Sequence, residues 1–101
     1  DIGHLFPDTD PKYKDSASTD LLEVVIHEIY QLGWKIQNID ATILAEAPKM
    51  QPYLHEMKQN IAQLCHIDMS QINLKATTME QMGFIGQKQG MVAISVALLE
   101  K

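Results

Sequence analysis

The sequence is short of the features that mark secreted, membrane-spanning or nucleic-acid-binding chains. It has one cysteine, Cys65, so no disulfide can form within these residues. That suits a reducing compartment. Positive charge is scarce: 8 Lys and Arg against 13 Asp and Glu leave a formal net charge of −5. A nucleic acid is therefore excluded as the main partner, because a phosphate backbone demands clustered cations. An anionic small molecule stays open if metal ions or backbone N–H groups supply the positive field. No apolar run approaches the roughly 20 residues that span a bilayer. Repeats, low-complexity tracts and flexible linkers are absent, and no signal peptide is visible. The chain opens at Asp1 without a methionine, so further residues are expected upstream.

What is present fits one domain. Hydrophobic residues make up 46% of the 101 positions, an ordinary globular share. A chain of this length buries a modest fraction of its surface, so a lone copy is marginal. Residues 1–17 read as loop, with Pro7 and Pro11 around Asp8, Thr9 and Asp10, and Asp15-Ser16 beyond. Ser18, Thr19 and Asp20 offer N-caps for a helix over about 18–32, with Leu22, Val25, Ile26, Ile29 and Leu32 at helical spacing and Gly33 as its stop. Over 36–46 the period changes to two, which predicts a strand closed by Pro48. Pro52 opens a second amphipathic helix over about 51–64. A strand at 72–77, one helical turn at 78–82, a glycine-broken loop or bulge at 83–90 and a β-branched strand at 91–99 complete the order. Helices alternating with strands imply a small α+β sheet backed by helices on one face. The apolar final strand invites association with other copies.

Three segments carry candidate chemistry, each open to two readings from its residues alone. Asp1-Ile2-Gly3 and Phe6-Pro7-Asp8-Thr9-Asp10 form either a solvated turn with Asx-type caps or a rigid loop whose acids bind polyol hydroxyls or a metal. Ala45-Glu46-Ala47-Pro48-Lys49-Met50-Gln51 leaves a strand for a helix. It is an ordinary connection, or a cradle whose small alanines let a flat ring reach the backbone. Lys75-Ala76-Thr77-Thr78-Met79-Glu80 is a capping box, or a diphosphate site with hydroxyls and N–H groups on the oxygens and Glu80 on a bridging cation. His4, His27, His55 and His66 lack metal-ligand spacing and read as surface or locally bonded residues. Cys65 and His66 are adjacent, so they do not face each other on a helix, and Cys65 reads as a small core residue. The methionines read as core filling.

In this order, Asp-Ile-Gly-His-Leu-Phe-Pro-Asp-Thr-Asp-Pro at 1–11, Ala-Pro-Lys-Met at 47–50, Lys-Ala-Thr-Thr-Met-Glu at 75–80 and Met-Gly-Phe-Ile-Gly at 82–86 resemble the 2-C-methyl-D-erythritol 2,4-cyclodiphosphate synthase family over essentially the whole chain. The resemblance implies a phosphorus–oxygen lyase of non-mevalonate isoprenoid biosynthesis. In 4-diphosphocytidyl-2-C-methyl-D-erythritol 2-phosphate the 2-phosphate attacks the β-phosphorus, giving CMP and the cyclic diphosphate. It assigns Asp1, Ile2 and Gly3 to ribose or neighbouring hydroxyls, Phe6, Pro7, Asp8, Thr9 and Asp10 to the methylerythritol side, and residues 45–51 to the cytosine. Thr77, Thr78, Met79 and Glu80 handle the diphosphate, with Thr78 the catalytic, polarising threonine and Glu80 the ligand to magnesium or manganese. Phe84 completes the wall, and Gln87 stands where the family usually has an arginine that faces a central cavity.

The resemblance further implies a homotrimer whose sheets pack around a threefold axis, no nucleic-acid or membrane partner, and a bacterial cytoplasmic location, or a plastid one in a eukaryote. The family's zinc ligands, an Asp-x-His and a later His, are expected upstream of Asp1, so these residues by themselves are expected to be inactive. The alternative reading is a non-catalytic trimeric module that binds cytidine nucleotides.

Overall fold

The computed structural model describes residues 2–7, 9–13 and 17–101. The described elements run α1 (Ile2–Leu5), α2 (Ser18–Gln31), β1 (Lys35–Leu44), α3 (Leu54–Cys65), β2 (Ile72–Thr77), α4 (Gly83–Gly86) and β3 (Val92–Glu100), with 3₁₀ turns at Pro11–Tyr13, Gln51–Tyr53 and Met69–Gln71. Among the described residues the strands form one sheet in the order β2-β1-β3, with β1 parallel to β2 and antiparallel to β3. The expected α+β sheet backed by helices on one face is what the chain forms.

The two long helices arise from apolar spacing and end by the same device. Leu22, Ile26, Ile29 and Tyr30 of α2 meet Ile61 and Cys65 of α3 and Ile36 and Ile39 of β1, and Cys65 is only 1% exposed. Burying an isoleucine such as Ile26 or Ile36 stabilises the fold by roughly 1.5–3 kcal/mol. Gly33 closes α2 at φ 87°, its N–H donating to the Tyr30 carbonyl while the Trp34 N–H reaches Ile29. His66 closes α3 at φ 58°, with the Ile67 N–H on the Ala62 carbonyl. Cys65 is a core residue as expected, and burial pushes its thiol pKa up. Tyr30 donates its hydroxyl to the Cys65 carbonyl, and its own pKa is raised by burial and then by the nearby Cys65.

Ile36 and Ile39 are three residues apart and would face opposite sides of an unbroken strand. A register shift between Ile36 and Asn38 inserts the extra residue that lets both enter the core. The Gln71 side-chain amide donates to the freed Gln37 carbonyl at 2.8 Å. The opposite, helix-free face carries Asp40, Asn73 and Lys75 beside Ile94, Val96 and Leu98. Asp40 accepts from Asn73 at 3.0 Å and from Lys75. The Lys75 hydrogen bond, aided by the Lys75 charge and by Asn73, holds the Asp40 carboxyl below its usual pKa against an opposing desolvation.

Several expectations need correction. Residues 1–17 contain α1 and the Pro11–Tyr13 turn rather than loop alone. The N-cap of α2 is Ala17, with no side-chain cap bond, so Ser18, Thr19 and Asp20 lie inside the first turn. There Asp20 still meets the positive end of the helix. Residues 51–53 form a 3₁₀ turn ahead of α3, because Pro52 lacks the N–H that a continuous helix would use. No helix among the described residues is long and apolar enough to cross a membrane.

Candidate functional site

Parallel pairing of β1 with β2 sets Leu44 beside Thr77, so the segments leaving these strands emerge side by side. Ligand clefts in α/β sheets form at such carboxyl ends, where backbone donors stop being used by the ladder. The ladder runs one step further, with the Ala45 N–H donating to the Thr77 carbonyl at 3.1 Å. Beyond it Ala45, Glu46, Pro48, Lys49, Met50, Gln51, Ala76, Thr77 and Thr78 line a cleft of about 430 Å³. The 45–51 loop and the threonine pair, picked out separately in the sequence, thus share one cavity. Ala76 also lines it, a contributor visible only once β2 is placed against β1. The Ala47–Pro48 peptide is cis, and Ala47 itself is exposed rather than lining the cleft.

A side chain joins the two loops. Glu46 Oε2 accepts the backbone N–H of Met79 at 3.2 Å. The chain then turns at Glu80 and Gln81, whose φ values are 54° and 65°, and the Met82 N–H closes on the Met79 carbonyl at 3.0 Å. Two consecutive left-handed residues make a type I′ turn. The helical turn expected at 78–82 is this left-handed turn instead, and of the two readings of 75–80 the capping box by Thr77 and Glu80 does not form. The Thr77 hydroxyl instead donates to the Thr78 carbonyl at 3.2 Å, and the Thr78 hydroxyl accepts the Glu80 N–H at a long 3.5 Å. The misreading has a physical cause: I′ turns are normally announced by Asn-Gly, whereas Glu-Gln costs on the order of 1–2 kcal/mol per left-handed residue and betrays nothing.

That cost is offset by neighbours. α4 occupies part of the stretch predicted as a broken loop. Gly86 is there for space: a Cβ at this position would lie 2.2 Å from the Gln81 carbonyl carbon. From the end of α4, Gln87 Nε2 donates to the Gln81 carbonyl at 3.0 Å. Glu46, Gln81, Gly86, Gln87 and Lys88 line a second cleft of about 480 Å³, so Glu46 stands between the two cavities. Phe84 is 55% exposed, with its ring 3.6 Å from the space a Gly90 Cβ would take.

Of the N-terminal candidates, the described Phe6, Pro7, Thr9 and Asp10 line neither cleft. Phe6 is 8% exposed, and Asp10 accepts the Lys12 N–H at 3.1 Å. Pro7 is half-buried and Thr9 exposed, and neither lines these cavities. Ile2 and Gly3 fall in α1, while Asp1 and Asp8 lie outside the described residues.

Among the described residues no group of three or more His, Cys, Asp or Glu side chains could hold a metal ion. A tetrahedral zinc site, which asks for at least three such ligands, does not fit them. Magnesium or manganese asks for less, because it keeps waters and shares phosphate oxygens with one or two carboxylates. The exposed Glu80 carboxylate, beside Thr78 on the turn, fits that lesser demand.

Comparison with known proteins places relatives on this geometry. The sequence model described as the YgbB family matches residues 1–100. A protein of Enterococcus faecalis named 2-C-methyl-D-erythritol 2,4-cyclodiphosphate synthase is 58% identical over all 101 residues, which cover 64% of its length. A Listeria monocytogenes protein of the same name is 52% identical over the same span, so the chain corresponds to about 64% of these relatives. Among solved structures, the bifunctional IspDF of Campylobacter jejuni matches 98% of this chain and 27% of its own at 40% identity and a TM-score of 0.90. A Plasmodium falciparum IspF in complex with CDP matches 98% of this chain and 58% of its own at 31% identity and a TM-score of 0.81.

Proposed function

Because the chain belongs to the YgbB family, we propose that the protein converts 4-diphosphocytidyl-2-C-methyl-D-erythritol 2-phosphate to 2-C-methyl-D-erythritol 2,4-cyclodiphosphate and CMP. The observation that carries this reading is the single cleft uniting the 45–51 loop with Thr77 and Thr78. The name of the 58% identical relative and the CDP bound by the Plasmodium falciparum protein support it.

In this reading the 45–51 loop holds the cytosine through backbone groups. The Thr78 hydroxyl donates to phosphate oxygens that gain charge as CMP leaves, a role in which one well-aimed donor counts heavily. Little covalent work is asked of the protein, which holds the attacking and leaving oxygens in line. The 101 residues contain no arginine. A magnesium or manganese ion held by Glu80 would neutralise diphosphate charge when bound. Zinc would need ligands other than the described residues.

The protein is further proposed to act as a homotrimer in the cytoplasm of a bacterium; a plastid would apply only to a eukaryotic source. Ile94, Val96 and Leu98 of β3 support association, being 58%, 69% and 57% exposed on an edge strand of nine residues. Phosphorus NMR of the full-length protein with substrate and magnesium or manganese tests the activity. Cyclic diphosphate and CMP are expected; CMP binding without cyclised product would overturn it in favour of a nucleotide-binding module.

A further inference from the structure

We propose that Gln87 is a positioning residue: from the end of α4 it holds the left-handed turn that presents Glu80. The inference rests on the reading of that turn as the site of the diphosphate and its cation. Both ends of the contact are anchored. Gln87's own N–H donates to the Gly83 carbonyl at 2.9 Å, and Lys88, at φ 62°, closes α4 with the Gln89 N–H on the Phe84 carbonyl at 2.9 Å. At the other end, the absence of a Cβ on Gly86 lets the Gln81 carbonyl group approach so closely that no other residue fits. Between these fixed points Gln87 Nε2 donates to the Gln81 carbonyl at 3.0 Å.

The turn needs such support because Glu80 and Gln81 both occupy the left-handed region without being glycine or asparagine. Its other holds act on Met79, through the Glu46 carboxylate and the Met82 N–H, on Glu80, through a long 3.5 Å contact of its N–H with the Thr78 hydroxyl, and on the Met82 carbonyl, through the Gly86 N–H. Gln87 adds the side-chain hold on Gln81, the second left-handed residue of the turn. Losing this grip lets Glu80 and Gln81 relax toward ordinary backbone angles and changes the direction in which the turn presents the exposed Glu80 carboxylate. Neither Gln81 nor Gln87 lines the cytosine cradle at 45–51. An arginine would reach the same carbonyl and also carry donors, so the hold does not depend on glutamine as such.

The test uses the full-length protein with Q87M, which matches glutamine in length but has no donor, and Q87R, which restores one. Backbone NMR shifts and HN–Hα couplings of Glu80 and Gln81 report the turn without ligand, and titrations measure CMP affinity and manganese-dependent CDP affinity. In Q87M the left-handed signature is expected to weaken and manganese-dependent CDP affinity to fall about fivefold, the range of one hydrogen bond. CMP affinity should hold, and Q87R should recover both losses. An unchanged signature in Q87M overturns the positioning role whatever the ligands do. A changed signature with wild-type manganese-dependent CDP affinity confines Gln87 to the backbone and overturns its link to Glu80. If the wild-type protein binds no CDP in the presence of manganese, the diphosphate reading itself falls, while the NMR signature still decides the hold on the turn.

Discussion

The carboxylate of Glu46, at the end of the first strand's ladder, accepts the backbone N–H of Met79, 33 residues later, at 3.2 Å. It joins the loop that follows β1 to the turn that follows β2, and so fixes one wall of the cleft against the other. Glu46→Ala is expected to cost about 1 kcal/mol of stability and to weaken CMP binding. Glu46→Gln, whose amide oxygen still accepts, should stay near wild type in both. Thermal unfolding and calorimetry with CMP check the pair.

Thr78 and Glu80 separate by the ligand each affects. Glu80→Gln keeps size and removes charge, so it should weaken metal-dependent CDP binding far more than CMP binding. Thr78→Ala should lower turnover about a hundredfold or more, on the order of 3 kcal/mol of transition-state stabilisation. Neither residue caps a helix, so melting temperatures of the full-length variants should move little. Turnover per folded molecule, measured beside unfolding, checks both.

Gly86→Ala should be the most damaging small change in this region. The added methyl would meet backbone, not a flexible side chain, 2.2 Å from the Gln81 carbonyl carbon. Overpacking of this kind typically costs about 1–3 kcal/mol. Gly90→Ala, whose Cβ would meet only the Phe84 ring at 3.6 Å, should be close to neutral. Chemical denaturation of the two variants gives the comparison.

Asp40 provides a pH signature. Its folded pKa lies below the ordinary 3.8, chiefly through the Lys75 hydrogen bond. The sign follows: the contribution is fully present above that unfolded value and is lost as pH falls through the depressed folded one. Asp40→Asn should therefore lower the melting temperature slightly at neutral pH. The difference should vanish in acid below the folded pKa, and shrink in high salt because the pair is exposed.

The apolar edge predicts assembly. Val96 is 69% exposed between Ile94 and Leu98 on β3. Val96→Asp should shift the protein toward monomer, because a carboxylate would have to be buried without a partner. Light scattering of wild type is expected to show a trimer; a stable folded wild-type monomer would overturn the assembly.

By itself the sequence determined the elements whose signal is local and periodic: α2 and α3 from their apolar stripes, Gly33 as a stop, the three strands and the buried role of Cys65. It also marked the 45–51 and 75–80 segments as chemical, through motifs whose residues stay together along the chain. Only the tertiary structure decided that these segments share a cleft, because that follows from pairing β1 parallel to β2, with Leu44 beside Thr77. It alone decided that Glu80 and Gln81 turn left-handed, since neither residue prefers that region and the holds come from Glu46, Gly86 and Gln87. The bulge that brings Ile36 and Ile39 into one core belongs to the same class. A strand's period can be read from its own residues, but a break in register exists only against the strand beside it.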